Sequence, residues 1–144
     1  MFRVTRRYAL AASHRLNSPQ LGEDENRRIY GKCNNPYGHG HNYTIEVSAR
    51  GPADETTGLA VRLSDLDELV RREALAPFDH RNLNLDTDAF RDCVPTTENL
   101  AVEIGRRLKR NWRKAFPGEW PKFEKIRIAE TARNIFELRA DEIE

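Results

Sequence analysis

The chain has 144 residues and a net charge of +1, with 24 Lys and Arg against 23 Asp and Glu. This balance argues against extended contact with nucleic acid or a membrane surface. Hydrophobic residues make up only 38% of the sequence, so we expect one domain over residues 1–144 with a thin core that self-association would complete. The two cysteines form no C-x-x-C pair, and no apolar stretch is long enough to cross a membrane, so we expect a reduced, cytoplasmic protein.

The first part of the sequence predicts two strands separated by a polar loop. Residues 2–14 place apolar side chains at every second position, as in a half-buried strand, and His14 ends that apolar face. Residues 15–32 are polar and irregular, which predicts a surface loop with a single helical turn. Residues 41–50 alternate again and predict the second strand.

A first helix is predicted in the middle of the chain. Ser64 is its expected N-cap, and Asp67 would complete a capping box. The helix should end near Ala76, because Pro77 disfavours helical geometry in the residue before it. Residues 78–95 show no periodicity and are expected to be irregular.

A second helix and two more strands complete the predicted fold. The helix follows Pro95, with Thr96 or Thr97 as its cap. Its apolar stripe consists of Leu100, Ile104 and Leu108. Residues 125–130 and 135–140 predict strands joined by a tight turn. The order β-β-α-α-β-β favours an α+β fold, in which a four-stranded antiparallel sheet carries both helices on one face.

The histidines provide the strongest chemical signal. His39 and His41 stand two residues apart at the start of a strand, so their imidazoles point to the same face. His14 ends the first strand on what should be the same face of the sheet. Three neutral imidazoles without a fourth protein ligand are typical of an open, catalytic zinc site. For H-x-H alone, a strand-end pair with ordinary hydrogen bonds is the alternative.

Two further motifs carry groups that can move protons. Cys33 follows Lys32 and precedes a Pro/Gly turn, and a thiol near a cation or metal has a lowered pKa and can act as base or nucleophile. His80 follows Asp79, which can orient its imidazole for proton transfer near neutral pH. The alternatives are a small buried cysteine and an Asp-His loop without a role. Cys93 lacks such neighbours and is assigned no chemistry.

Glu130 is an unusual residue for its strand. It shares the parity of Ile126 and Ile128, so it should face the apolar layer or a pocket at its edge. A buried carboxylate is costly unless it is paired, and the sequence indicates no fixed basic partner. A ligand with adjacent N–H donors would satisfy it by two parallel hydrogen bonds. A strand-end glutamate turned to solvent is the alternative.

Together these motifs resemble a known family. The stretch GKCNNPYGHGHNY, with SHRL before it and DHRNLN and PTTENLA after it, is similar to 6-pyruvoyl-tetrahydropterin synthase and its 6-carboxy-tetrahydropterin synthase relatives. The motifs follow the family order across nearly the whole chain. The resemblance implies the tunnelling fold, or T-fold, in which three subunits close a barrel, two trimers stack into a homohexamer, and active sites lie between subunits.

The resemblance also implies roles for individual residues. The implied Zn²⁺ ligands are His14, His39 and His41. The implied proton relay at the substrate side chain consists of Cys33, Asp79 and His80. The implied contacts to the pterin ring are Glu130, as its anchor, and the pocket residues Thr96, Thr97 and Glu98.

The implied activity is a lyase step of tetrahydrobiopterin biosynthesis. It converts 7,8-dihydroneopterin triphosphate to 6-pyruvoyl-tetrahydropterin with elimination of triphosphate. Zinc would make the carbinol C–H bonds more acidic, and Cys33 would take and return protons. From charge and proximity, Lys32, Arg15 or Arg7 could neutralise the triphosphate.

Two other functions are left open by the sequence. Relatives that supply queuosine and other deazaguanines form 6-carboxy-tetrahydropterin and release acetaldehyde and triphosphate; the longer CNNPYGHGH form favours the pyruvoyl branch only slightly. A non-catalytic zinc or RNA-binding protein is the second, because the basic helix from Arg106 to Lys114 could contact an acidic partner. A solvated helix face explains these charges as well, and the near-neutral net charge argues against extended phosphate contact.

Overall fold

The structure, a computed structural model, describes all residues 1–144 and is built on one five-stranded sheet. The strands lie in the order β3-β1-β2-β4-β5. Their bounds are Phe2–His14 (β1), His39–Gly51 (β2), Arg81–Asn82 (β3), Lys122–Ala129 (β4) and Ile135–Arg139 (β5). The helices are Glu23–Tyr30 (α1), Leu63–Val70 (α2), Ala76–Phe78 (α3) and Thr97–Ala115 (α4). None of these helices is long and apolar enough to span a membrane.

The α+β class is confirmed, whereas the four-stranded β-β-α-α-β-β arrangement is wrong in detail. The extra strand, β3, pairs with the end of β1 in parallel orientation, so the sheet is mixed. It has two residues, too few to show any periodicity in the sequence. Its backbone bonds continue on either side, from His80 N–H to Ala11 C=O at 2.6 Å and from Leu83 N–H to Ser13 C=O at 2.8 Å.

Helix α1 lies within the predicted surface loop and is longer than the single helical turn expected there. Three acidic residues occupy its first turn, and Arg27 and Arg28 occupy its last turn, so both ends complement the helix dipole. Its one buried residue is Asn26. Because no apolar stripe marks this helix, hydrophobic periodicity could not reveal it.

The predicted capping box of α2 is wrong. The helix begins at Leu63 without a side-chain cap, and the Asp67 carboxylate instead accepts hydrogen bonds from Arg6 Nε at 3.0 Å and Tyr8 OH at 2.7 Å. The helical path also continues past Ala76 to Phe78, through a π-helical turn over Arg71–Leu75. Asp67 therefore joins α2 to the sheet rather than capping its own helix.

Helix α4 covers the sheet with the apolar stripe that its sequence predicts. Leu100, Ile104 and Leu108 are fully buried in the core, as are Ile126 and Ile128 of β4. The Thr96 hydroxyl accepts a hydrogen bond from Asn99 N–H at 3.1 Å, which confirms the predicted N-cap. The residue two positions before α4, Pro95, bonds through its carbonyl to the His14 ring, so the beginning of α4 lies near the end of β1.

Candidate active site

The pairing of β1 with β2 brings the three histidines together. The antiparallel register places His14 opposite His39 and Ala12 opposite His41. The ring centroids of His14 lie 5.0 Å from those of both His39 and His41, which are themselves 4.6 Å apart. The Nε2 atoms of His39 and His41 are separated by 2.8 Å. Strand register alone therefore assembles the predicted histidine cluster.

The His14 ring has the tautomer and the uncharged state that a metal ligand needs. Its ring is fully buried, and Nδ1 donates to the Pro95 carbonyl at 2.9 Å, which leaves Nε2 as the lone-pair nitrogen. Burial lowers the pKa of His14 to about 4, although the bond to Pro95 opposes this shift. The pKa of His41 is also lowered by burial. At neutral pH these imidazoles are uncharged, as metal coordination requires.

Two buried nitrogens of the cluster have no hydrogen-bond partner, His14 Nε2 and His39 Nδ1. Leaving such a group unpaired costs about 1–3 kcal/mol. A divalent cation coordinated by the cluster would satisfy the lone pair of His14. The donor set of three imidazoles matches the preference of Zn²⁺ for nitrogen ligands, so these residues fit the metal that the resemblance implies.

Cys33 lies beside the cluster, on the 3₁₀ turn Gly31–Asn34. Its Sγ and one ring nitrogen each of His14 and His39 all lie within 4.8 Å of one another. The turn returns to β2 through Gly38, where a Cβ would stand 2.9 Å from the His14 carbonyl oxygen, so only glycine fits without a shift. The proximity expected between the thiol and the histidines is therefore present.

The pKa of the Cys33 thiol is raised, mainly by burial and further by the charge of Glu130. The sequence predicts the opposite direction, because a neighbouring positive charge would lower the pKa of this thiol. Lys32 is exposed and does not overcome the burial. The protein groups alone therefore favour a protonated thiol, and Cys33 needs a partner that accepts its proton.

Glu130 lies one residue beyond β4 and faces the histidines. Its Oε1 is 3.2 Å from His41 Nε2 and 4.0 Å from His14 Nε2, and its side chain is only 13% exposed. No Lys or Arg side chain pairs with it. Glu130, His14 and His41 form a group that could hold a metal ion, as do His14, Cys33 and His39. This proximity to the cluster was missed, because the sequence indicated only that Glu130 faces inward.

A cavity of about 770 Å³ opens in front of the cluster. Its wall includes Cys33, His39 and His41 and three basic residues, Arg15, Arg27 and Lys32. Arg27 was missed, because only a single helical turn was predicted within residues 15–32. Arg7 does not line this cavity and instead pairs with Glu46 at 3.0 Å.

Asp79 and His80 are close to each other but not to Cys33 within one chain. The Asp79 carboxylate lies 3.1 Å from His80 Nδ1 and accepts from Ala11 N–H at 2.9 Å. The His80 side chain is 81% exposed, and its backbone φ is +59°. It lines a cavity of about 470 Å³ that shares only His41 with the cavity of Cys33.

The residues at the start of α4 differ in their surroundings. Thr96 is occupied as the N-cap. Thr97 is buried, and its hydroxyl oxygen has no hydrogen-bond partner. Glu98 is exposed to solvent. Of the three, only Thr97 is buried.

Comparisons with known proteins match nearly the whole chain. The family model described as 6-pyruvoyl tetrahydropterin synthase matches residues 3–141. The 6-pyruvoyl tetrahydrobiopterin synthase of Poecilia reticulata is 46% identical over 138 residues, which is 96% of this chain and 90% of that protein. The enzyme of the same name from Drosophila melanogaster is 40% identical over 136 residues, 94% of this chain and 78% of that protein. The solved structure of Caenorhabditis elegans 6-pyruvoyl tetrahydropterin synthase has a TM-score of 0.87 at 36% identity and covers 96% of this chain and 94% of its own.

The sheet and the cavity define a class of protein: an α+β protein with histidines placed to bind a metal beside a cysteine. The comparisons identify the family within that class. The chain belongs to the 6-pyruvoyl tetrahydropterin synthase family. The resemblance drawn from its sequence motifs is thereby confirmed.

Proposed function

We propose that this chain is a zinc-dependent 6-pyruvoyl-tetrahydropterin synthase, a lyase that eliminates triphosphate from 7,8-dihydroneopterin triphosphate. The observation that carries the proposal is the convergence of His14, His39 and His41 beside Cys33, with Cys33, His39 and His41 lining one cavity. Membership of a family of synthases supports the activity. The family match over residues 3–141 supports one catalytic domain spanning residues 1–144.

The three histidines would hold the zinc ion. His14 is prepared for this role, because its Nδ1–H is committed to the Pro95 carbonyl and its Nε2 lone pair is free. When bound, zinc supplies a Lewis acid that polarises an oxygen of the substrate side chain. His39 and His41 line the cavity in which that side chain would lie.

Cys33 would take a proton from the substrate side chain and return it elsewhere on the same side chain. Because its pKa is raised by burial and by Glu130, its proton needs an acceptor. His80, oriented by Asp79, would be that acceptor. The His80 ring is exposed and lines a different cavity from Cys33, so we propose that it serves the Cys33 of a neighbouring subunit in a homotrimer or hexamer.

The pterin ring would be anchored by Glu130, whose carboxylate pairs with no Lys or Arg and lies 3.2 Å from His41 Nε2. This carboxylate can accept two parallel N–H bonds from an amino-pyrimidinone edge. Thr97 is buried and does not line the cavity, so it would support the pocket without contacting the ring. Thr96 would contribute by capping α4. The exposed Glu98 would contribute only across a subunit boundary.

The triphosphate would bind to the basic part of the cavity wall. Arg15, Arg27 and Lys32 all line it. Arg15 is partly fixed, because its Nε donates to the Asn34 carbonyl at 3.2 Å. Arg27 also pairs with Asp24, and Glu23 lies on the same wall. Arg15 and Lys32, which pair with no carboxylate, therefore suit an anion that carries several charges best.

The proposal is tested by counting zinc per purified chain and incubating the protein with 7,8-dihydroneopterin triphosphate. We expect bound zinc, released triphosphate and a 6-pyruvoyl pterin. Acetaldehyde with a 6-carboxy pterin would instead assign the chain to the deazaguanine branch. Cys33→Ser is the matched variant, and it should keep zinc while losing turnover. A protein without zinc or turnover would refute the proposal, and RNA retention by the Arg106–Lys114 face would then be tested.

A further inference from the structure

The turn that carries Cys33 is fastened to the chain leaving His14 by the side chain of Asn34. Leu16 N–H donates to the Cys33 carbonyl at 2.7 Å. The Asn34 amide nitrogen donates in return to the Leu16 carbonyl at 2.8 Å and to Asn17 Oδ1 at 3.0 Å. Asn34 is only 5% exposed, so water cannot readily replace these bonds. Both backbone groups of Leu16 are therefore bonded to the Cys33 turn, as they would be to a neighbouring strand.

Asn84 holds the same segment from the other side. Arg15 N–H donates to Asn84 Oδ1 at 2.7 Å, and the Asn84 amide nitrogen donates to the Arg15 carbonyl at 2.9 Å. Asn84 lies four residues after His80, in the loop that follows β3. The Cys33 turn and the His80 loop are thus both bonded to the two residues that follow His14.

We infer that Asn34 is a positioning residue, whose amide donors set the place of Cys33 Sγ relative to the histidines. This inference rests on the proposed role of Cys33 as the base. The turn is a single 3₁₀ turn between α1 and an exposed Pro/Gly segment. Besides the Asn34 side chain, two bonds hold it to the segment after His14, from Leu16 N–H to the Cys33 carbonyl and from Arg15 Nε to the Asn34 carbonyl. A misplacement of about 1 Å at a reacting group can cost about 100-fold in rate. A buried amide with every donor used is a suitable means of preventing it.

Replacing Asn34 by aspartate tests the donors with almost no change in shape. A carboxylate only accepts hydrogen bonds, and here it would face two acceptors, the Leu16 carbonyl and Asn17 Oδ1. Both bonds are lost, and oxygen atoms are left opposed. The turn should then move away from Leu16 and carry Cys33 with it.

The experiment compares Asn34→Asp with Asn111→Asp. Asn111 donates from its amide to the Arg107 carbonyl within α4 at 2.9 Å, so the control removes the same kind of bond outside the cavity. Cys33 alkylation by iodoacetamide is followed by peptide mapping, together with zinc per chain, kcat and KM. In Asn34→Asp we expect alkylation at least about 5-fold faster and kcat about 100-fold lower. Zinc content should stay near wild type, KM should rise because the new carboxylate lies on the wall proposed to bind the triphosphate, and Asn111→Asp should match wild type throughout.

A wild-type alkylation rate and kcat in Asn34→Asp would overturn the inference. Faster alkylation of Cys33 in that variant, with no pterin turnover by the wild-type protein, would support the positioning role and reject the proposed function. If Asn34→Asp does not fold, amide hydrogen exchange of the wild-type protein decides the question. The side-chain amide protons of Asn34 should then exchange slowly, because both are bonded and shielded from water, and rapid exchange would overturn the inference.

Discussion

The histidine cluster and the Asp79–His80 loop are built in different ways. The cluster is assembled by long strands paired residue by residue, and its rings are largely shielded from solvent. The loop holds its imidazole by one neighbouring carboxylate and leaves it 81% exposed. One chain therefore completes the part of the site that would bind metal, and it presents the proposed proton acceptor outward. Separate substitutions in the two regions should have separable effects.

The largest effect is expected from His14→Ala. The variant removes the most buried of the three imidazoles, and zinc affinity should fall more than about 100-fold, beyond the loss typical of an outer partner. Activity should fall with it. Zinc per chain is measured after dialysis against a weak chelator, and His80→Ala is the comparison that should retain zinc. Wild-type zinc binding by His14→Ala would contradict the assigned ligand set.

His80→Ala should lower kcat by about 10²–10⁴-fold, as expected for loss of a general acid or base, while zinc content stays the same. Mixing His80→Ala chains with Cys33→Ala chains, followed by reassembly, should restore part of the activity. Such recovery follows if each complete site takes Cys33 from one subunit and His80 from another. Loss of zinc from His80→Ala would show that the histidine cluster and the Asp79–His80 loop do not act separately. If the mixed chains regained no activity, the result would argue against a site shared between subunits.

A smaller effect is expected at the start of α4, which contributes to the cluster through the Pro95 carbonyl. Thr96→Ala removes the hydroxyl that accepts from Asn99 N–H and should lower the free energy of unfolding by about 1 kcal/mol. Urea denaturation measures the change. Thr96→Ser keeps the hydroxyl and should stay near wild type. Equal destabilisation by both variants would show that the cap bond is not the cause.

The smallest effect is expected far from the cluster, at the ion pair between Arg3 and Glu124. The hydrogen bond from Arg3 holds the pKa of Glu124 below its usual value of 4.5. A carboxylate with a depressed folded pKa stabilises the protein above its unfolded pKa, and this contribution is lost as the pH falls through the folded pKa. In Glu124→Gln, the free energy of unfolding should therefore depend slightly less on pH between about pH 5 and pH 3 than it does in the wild type. An unchanged profile in thermal denaturation would show that the pair contributes nothing.

The sequence was sufficient to predict the structure where a repeating pattern or a residue spacing determines the geometry. The two-residue spacing of His39 and His41, together with the strand end at His14, predicted the cluster because strand register is regular. The sequence did not predict the elements whose formation depends on single hydrogen bonds. Helix α1, which supplies Arg27, has no apolar stripe, and β3 has only two residues.

The sequence also could not predict which side chains bond to segments that are distant in the chain. Asp67 has the spacing of a capping residue, but it bonds to Arg6 and Tyr8 of β1. Asn34 and Asn84 carry no periodic signal, although each bonds to the segment after His14. The raised pKa of Cys33 depends on burial and on Glu130, which is almost a hundred residues away in the chain. Such pairings depend on tertiary structure and are invisible to local patterns.

The close approach at Gly38 has a consequence for how this sequence can vary. A Cβ there would meet the His14 carbonyl oxygen at 2.9 Å, and the backbone φ of +73° is one that other residues rarely adopt. Gly22, in contrast, has no atom within 4 Å of its would-be Cβ. In a saturation library, position 38 should therefore accept no other amino acid while position 22 accepts many.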